Sequence, residues 1–174
     1  MLVLMTDDER LADPLRAAML LPRGAMIIVR SRDHARRAAW AHALVALGRT
    51  RGLLILIAND ASLASRCGAD GVHLSDTNAR QAAHWRAVRP HWFISAAAHS
   101  LRTATLTHFV DALILSPIFP TPSHPKAVAL TAARANAIAH ASRLPVYALG
   151  GVTACNAPLL HGHVGIAAIG ALQP

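Results

Sequence analysis

The sequence predicts a parallel α/β fold, a compact (β/α)8 TIM barrel, from three observations. Eight short apolar runs recur at nearly even spacing along 174 residues. Ala-rich, helix-like stretches lie between them. Polar residues collect where the runs end, not where they begin. Strand alternating with helix specifies a parallel sheet, and eight repeats specify closure into a barrel.

The runs cover residues 2–5, 25–29, 53–58, 71–74, 92–96, 112–115, 146–149 and 165–169. Each is near-continuously apolar rather than alternating, as suits strands covered on both faces. Helices are expected over 33–47, 78–88, 100–108 and 131–141, opening on Asp33, Asn78, Ser100 and Thr131. Those side chains can accept from an orphan amide at a helix start. The stretches 61–66 and 153–161 read as one or two helical turns. Prolines make 117–129 the longest loop. Eight units in 174 residues leave about 22 each, where such barrels usually take roughly 200 residues or more in all. Shortened helices follow. Beyond the eighth run and the Gly170 that ends it only residues 171–174 remain, so a missing or truncated last helix is expected. No linker or second domain interrupts the pattern, and 1–174 reads as one domain.

Composition excludes several classes. Hydrophobic residues make up 53% and charged residues 15%, which excludes a disordered chain. No apolar run approaches the ~18 residues of a membrane-spanning helix, and the first residues lack the basic start of a secretory signal. Cys67 and Cys155 form no disulfide framework and fit a reducing cytoplasm. The net charge is +8, from sixteen arginines and one lysine against nine acids. The arginines are scattered, with no basic stripe and no interleaved aromatics, so no nucleic-acid partner is expected. A local site for phosphate remains open. The chemistry of a barrel sits at the strand C-termini. Those ends read Thr6-Asp7, Arg30-Ser31-Arg32, Asn59-Asp60, Ser75 to Asn78, Ala97 to His99, Ser116-Pro117, Gly150-Gly151 and Gly170.

Three motifs carry a resemblance. Gly-Ala-Asp-Gly-Val-His-Leu at 68–74, Ser-Pro-Ile-Phe-Pro-Thr-Pro-Ser-His-Pro at 116–125 and Leu-Gly-Gly-Val at 149–152 resemble thiamin phosphate synthase, whose fold the TenI-type thiazole tautomerases share. The opening Leu-Val-Leu-Met-Thr-Asp and the closing Gly-Ile-Ala-Ala-Ile-Gly-Ala-Leu extend the resemblance over nearly the whole chain. It implies a cytoplasmic transferase of thiamin biosynthesis that couples hydroxymethylpyrimidine diphosphate to thiazole phosphate, releasing diphosphate. It implies Mg²⁺ as cofactor and small-molecule phosphates as partners, with no membrane.

By the same resemblance, Arg30 holds the diphosphate and acts in catalysis, with Ser123 and His124. Arg32 stands at the family's usual lysine. Asn59 contacts the diphosphate and Asp60 binds the metal. On the residues alone this pair reads equally well as the start of a helix. Asn78 stands where the family has its second metal carboxylate, and Asp76 either re-aims to replace it or caps the next helix. Thr121 and Ser123 supply hydroxyls for the thiazole phosphate. His124 replaces a lysine, and a nearby anion would favour its charged form. Lys126 is two residues further on. Gly150, Gly151, Ile169 and Gly170 supply the backbone of the phosphate site after strands seven and eight, where a tight Gly-Gly turn is the competing reading. Ile28, Ala97 and Gly170 have lost family side chains that make polar contacts. His73 is expected to pack inside the barrel, and His99 to orient a strand end.

Two other functions stay open in the sequence. One is a non-catalytic binder of thiazole or pyrimidine phosphate. The other is a tautomerase-type isomerase, whose histidine falls at Pro117. A shortened last unit would leave strands one and eight with apolar surface, and a homo-oligomer is one way of covering it.

Overall fold

The computed structural model describes residues 1–100, 109–121 and 127–169. Eight parallel strands close in sequence order. They are β1 (Leu2–Met5), β2 (Met26–Val29), β3 (Leu54–Ala58), β4 (Gly71–Leu74), β5 (Phe93–Ala98), β6 (Ala112–Leu115), β7 (Val146–Ala148) and β8 (Val164–Ala168). Closure is made by β1 on β8, with Leu2 opposite Ile166 and Leu4 opposite Ala168. All eight runs form strands, with ends within two residues of those expected.

Strand side chains alternate between two faces, and the barrel uses that period to build two cores. Ile27, Val29, Ile55, Ile57, Val72 and Ile94 point outward and pack under the helices with Leu44, Leu63 and Ile138. Val3, Met5, Met26, Ile28, Leu56, Ile114 and Tyr147 point inward and fill the bore. Small side chains at Ala58, Ala112 and Ala167 in the inner layer leave room for Met26 and Tyr147. Aromatic residues are only 4% of the chain, so this interior is aliphatic.

Helices α1 (Pro14–Met19), α2 (His34–Arg51), α3 (Ala61–Cys67), α4 (Ala82–Val88) and α5 (Ala132–Ala141) lie outside the sheet. Their starts follow capping chemistry. Asp33 accepts from the Arg36 amide at 3.0 Å, Asp60 from Leu63 at 2.9 Å and Thr131 from Arg134 at 3.4 Å. Helix α1 was not expected. Its signals are Asp13, which accepts from the Arg16 amide at 2.9 Å, and Pro14 at the first helical position. Six residues are too few for a visible apolar period.

One expected helix starts elsewhere. Residues 76–81 form a 3-10 turn, and α4 begins only at Ala82. Asn78 does not cap it. Its side chain donates instead to Asn59 Oδ1 at 3.1 Å, while its amide donates to the Ser75 carbonyl at 2.9 Å. A second 3-10 turn, Ala157–Leu159, stands where 153–161 suggested a helical turn. The helix expected over 100–108, and the chain after Ile169, lie outside the described residues.

Candidate functional site

The two-residue period decides which residues reach the C-terminal mouth. In β2 the inward row is Met26, Ile28 and then Arg30. In β4 it is His73 and then Ser75, in β6 Ile114 and then Ser116, and in β7 Tyr147 and then Leu149. Of these, Arg30, His73, Ser75, Ile114, Ser116 and Leu149 line a cavity of about 570 Å³ together with Met5, Ala58, Ala97 and Ile169. Its floor is apolar. Its β1–β3 side carries Arg10, Arg30, Arg32 and Arg37, and no carboxylate is among its described lining residues. A side cleft of about 100 Å³ continues from it under Gly150, Gly151 and Ile169, with Arg10 and Thr121 shared between the two. A larger depression, about 720 Å³, opens at the other barrel end. There the Arg86 and Asp111 charges already meet at 2.6 Å.

Behind the arginines stands a built scaffold. The Thr6 hydroxyl donates to the Arg30 carbonyl and accepts from the Arg30 amide, both at 2.7 Å, which pins the end of β2 to β1. Asp7 is buried and receives Arg30 Nη1 at 2.8 Å, Arg10 Nη2 at 2.8 Å and Arg10 Nε at 3.2 Å. Hydrogen bonding from the Arg10 guanidinium, against the opposing effect of burial, holds the Asp7 carboxyl well below its ordinary range. Asp8 takes the Ser31 hydroxyl and the Arg32 amide, and Ser31 is the main reason its carboxyl is also lowered.

On the neighbouring rim, Asn59 sits at φ 53°, a left-handed conformation that asparagine tolerates. Its Oδ1 accepts from the Ser75 amide at 2.8 Å, tying the end of β3 to that of β4. Asp60 caps α3 with one oxygen and accepts Arg37 Nη2 at 3.0 Å with the other. Asp76 is the first residue of the 3-10 turn, whose cap position is taken by Ser75.

Inside the mouth, His73 Nδ1 meets the Ser95 hydroxyl at 2.9 Å. Burial first, then the Arg30 and His99 charges, push its pKa down to about 4. The ring is therefore neutral at pH 7, and His73 packs inside as expected. The unfolded ring, near 6.5, takes up its proton well before the folded one. Folding stability from His73 is thus complete above about 6.5 and falls as the pH drops toward 4. Thermal melts at pH 6.5 and pH 5 should show the wild type losing about 2 kcal/mol more than His73→Gln. His99 Nδ1 donates to the Ser116 carbonyl at 2.7 Å, which orients the ends of β5 and β6.

The Gly150-Gly151 turn has a packing reason of its own. The two residues lie at φ 92° and 66°. A Cβ on Gly151 would come 2.6 Å from the Pro120 carbonyl oxygen and 2.8 Å from that of Phe119. The turn is held against the loop that begins at Pro117. Gly151→Ala should lower stability by about 2 kcal/mol, from positive φ and the clash together, as read by denaturant unfolding.

The structure thus brings Arg30, Arg32, Asn59, Thr121, Gly150 and Ile169 to one cavity, with Gly151 on the side cleft. Asp60 sits behind Arg37. Ser123, His124, Lys126 and Gly170 lie outside the described residues. Sequence reasoning gave no role to Asp7, Arg10 or Arg37. Asp7 was visible as a polar strand end. Arg10 and Arg37 carried no signal among sixteen arginines.

An apolar-floored, arginine-walled cavity at the C-terminal mouth of a parallel (β/α)8 barrel defines a protein that handles small anionic substrates. The chain belongs to the thiamine monophosphate synthase family, whose sequence profile matches residues 2–172. It is 36% identical over 167 residues to the thiamine-phosphate synthase of Thiobacillus denitrificans, covering 88% of this chain and 75% of that one. The corresponding protein of Bordetella pertussis is 33% identical over 163 residues, 86% of this chain and 74% of its own. The thiamine phosphate pyrophosphorylase of Pyrococcus furiosus superposes with a TM-score of 0.80 at 22% identity, over 96% of this chain and 84% of that one, which supports the fold.

Proposed function

We propose that residues 1–174 form a single barrel domain that acts as a thiamin phosphate synthase. The reaction joins hydroxymethylpyrimidine diphosphate to thiazole phosphate and releases diphosphate. The observation that carries this is the arginine side of the cavity, set above an apolar floor and beside the Gly150-Gly151 cleft. The pyrimidine lies on Met5, Ala58 and Ile114, where water is excluded. Arg30 takes the diphosphate, held in place by Asp7 and Thr6. Its fork matches phosphate oxygens and stays charged at every working pH. The pyrimidine CH2–O bond breaks, its electron pair leaves with the diphosphate, and the guanidiniums stabilise the charge that develops there. The thiazole nitrogen then forms the new C–N bond to the same carbon. Thr121, Ser123 and the amides of Gly150, Gly151, Ile169 and Gly170 hold the thiazole phosphate. His124 donates to the leaving diphosphate. Asn59 holds the β3–β4 rim and offers its amide to the same anion.

Mg²⁺ on Asp60, Asp76 and Asn78 is what the resemblance implies, and the donors do not fit it. Divalent magnesium favours carboxylates combined with phosphate oxygens. Asp60 has one oxygen on the α3 amide and the other on Arg37. Asn78 brings no charge, and its Oδ1 accepts from Gln81 at 3.4 Å. Of the two carboxylates, only Asp76 has no cation or amide on it among the described residues, and one such group does not make a magnesium site. Two unpaired cysteines, Cys67 and Cys155, accord with a cytoplasmic setting.

The test is to incubate the purified protein with both substrates and Mg²⁺ and follow thiamin phosphate. Product at a steady rate is expected. No product, with thiazole phosphate still raising the melting temperature, would overturn the synthase reading in favour of a phosphate-binding barrel without the coupling chemistry.

A further inference from the structure

We infer that Arg37 takes the place of a divalent cation beside Asp60, so that this site binds diphosphate without metal. The inference rests on the proposed synthase reading and concerns how the same site holds its leaving group. Arg37 rises from the first turn of α2 and reaches three elements. Its Nη2 is 3.0 Å from Asp60 Oδ2 and 2.9 Å from His34 Nδ1, and Nη1 is 3.5 Å from the Ser31 carbonyl. The side chain is only 15% exposed yet lines the cavity. Its Nε is buried and has no hydrogen-bond acceptor among the described residues. A buried donor without a partner is costly, and a phosphate oxyanion in the adjoining cavity is the acceptor chemistry it lacks. Because Nε is shut off from solvent, such an oxygen reaches it only when the guanidinium turns toward the cavity.

Charge balance points the same way. The described lining of the cavity contains four guanidiniums and no carboxylate, and the two carboxylates paired with them from behind, Asp7 with Arg10 and Arg30 and Asp60 with Arg37, leave an excess of positive charge. That field attracts an anion and repels a free divalent cation. Asp60, the carboxylate nearest to the cavity on the β3 side, is already neutralised by Arg37. A permanently charged, planar donor thereby does the electrostatic work of a metal ion without needing a second carboxylate at position 78.

Titration calorimetry with inorganic diphosphate, in chelator and in Mg²⁺, tests this. Wild type should bind in chelator, with a Kd within about threefold of that in Mg²⁺. Arg37→Gln should weaken binding in chelator about tenfold or more, the loss of one charge-assisted contact. It should also free Asp60, so that Mg²⁺ now restores part of the affinity. Arg37→Lys keeps the charge without the fork and should fall between. Melting temperatures of both variants separate folding from binding, because a merely structural clamp between α2 and α3 would lower stability and leave the diphosphate Kd unchanged. Such an unchanged Kd in Arg37→Gln overturns the inference. Binding by wild type only with Mg²⁺ overturns it while leaving the synthase reading intact. No diphosphate binding in either condition overturns both.

Discussion

Arg30→Ala should reduce thiamin phosphate formation at least a hundredfold while the barrel stays folded. The geometry explains both halves of this expectation. Arg30 is the next inward residue after Met26 and Ile28, so its side chain emerges at the mouth rather than in the core. About two-fifths of it, 39%, is exposed. Removing it opens no cavity in either hydrophobic layer, and the Thr6 bonds to its backbone survive the substitution. What is lost is a guanidinium aimed at the charge of a departing diphosphate. One preorganised donor of that kind is worth roughly two to three orders of magnitude in rate. The loss should fall on kcat as well as on KM, because the developing charge is greater than that of the bound substrate. Steady-state kinetics of Arg30→Ala and Arg30→Lys would settle it. A rate within threefold of wild type in Arg30→Ala would remove Arg30 from the chemistry. Arg30→Lys should recover only part of the rate, since an ammonium cannot make the two-pronged contact.

The fold was legible because a parallel barrel writes itself into sequence as apolar runs covered on both faces. Residues 71–74 and 112–115 carry that signal without ambiguity, and their strands begin and end where the runs do. Short elements were harder. Helix α1 has six residues and one cap, and 76–81 winds as a 3-10 turn because Asn78 bonds to Asn59 across the rim. That contact joins positions nineteen apart in the chain. The same limit governs the site. Arg30 could be placed by counting along its strand. Arg37 could not, because its partner Asp60 lies 23 residues away on another unit. The Asn59-Asp60 pair illustrates the remaining ambiguity. Capping and ligand roles were equally readable, and the structure gives Asp60 a cap on one oxygen and a guanidinium on the other.

Asp7→Ala should be the most destabilising polar substitution at the mouth, lowering folding stability by about 3 kcal/mol. The carboxylate is buried and takes three guanidinium contacts from two arginines, besides the amides of Glu9 and Arg10 at 3.2 and 3.1 Å. Without it, two positive groups face each other across β1 and β2 with no anion between them. Both arginine side chains are 39% exposed, so solvent screens part of the repulsion, and the expected loss stays at the lower end for a broken buried pair. The pH dependence has a definite sign. The folded carboxyl titrates below the ordinary 3.8 of the unfolded chain. Its contribution is complete above about pH 4 and drains away as the pH falls further, because the unfolded chain takes up the proton first. Denaturant unfolding at pH 7 and at pH 3 should show the gap between wild type and Asp7→Ala narrowing at the lower pH. A gap that is constant, or that widens in acid, would mean the carboxylate is not what holds the two arginines. The consequence for binding is opposite in sign. Asp7 competes with phosphate for the same donors, so Asp7→Ala should keep or tighten inorganic phosphate binding even as it loosens the geometry that turnover needs. Activity should then fall with phosphate affinity maintained, which separates a positioning carboxylate from one that merely supports the fold.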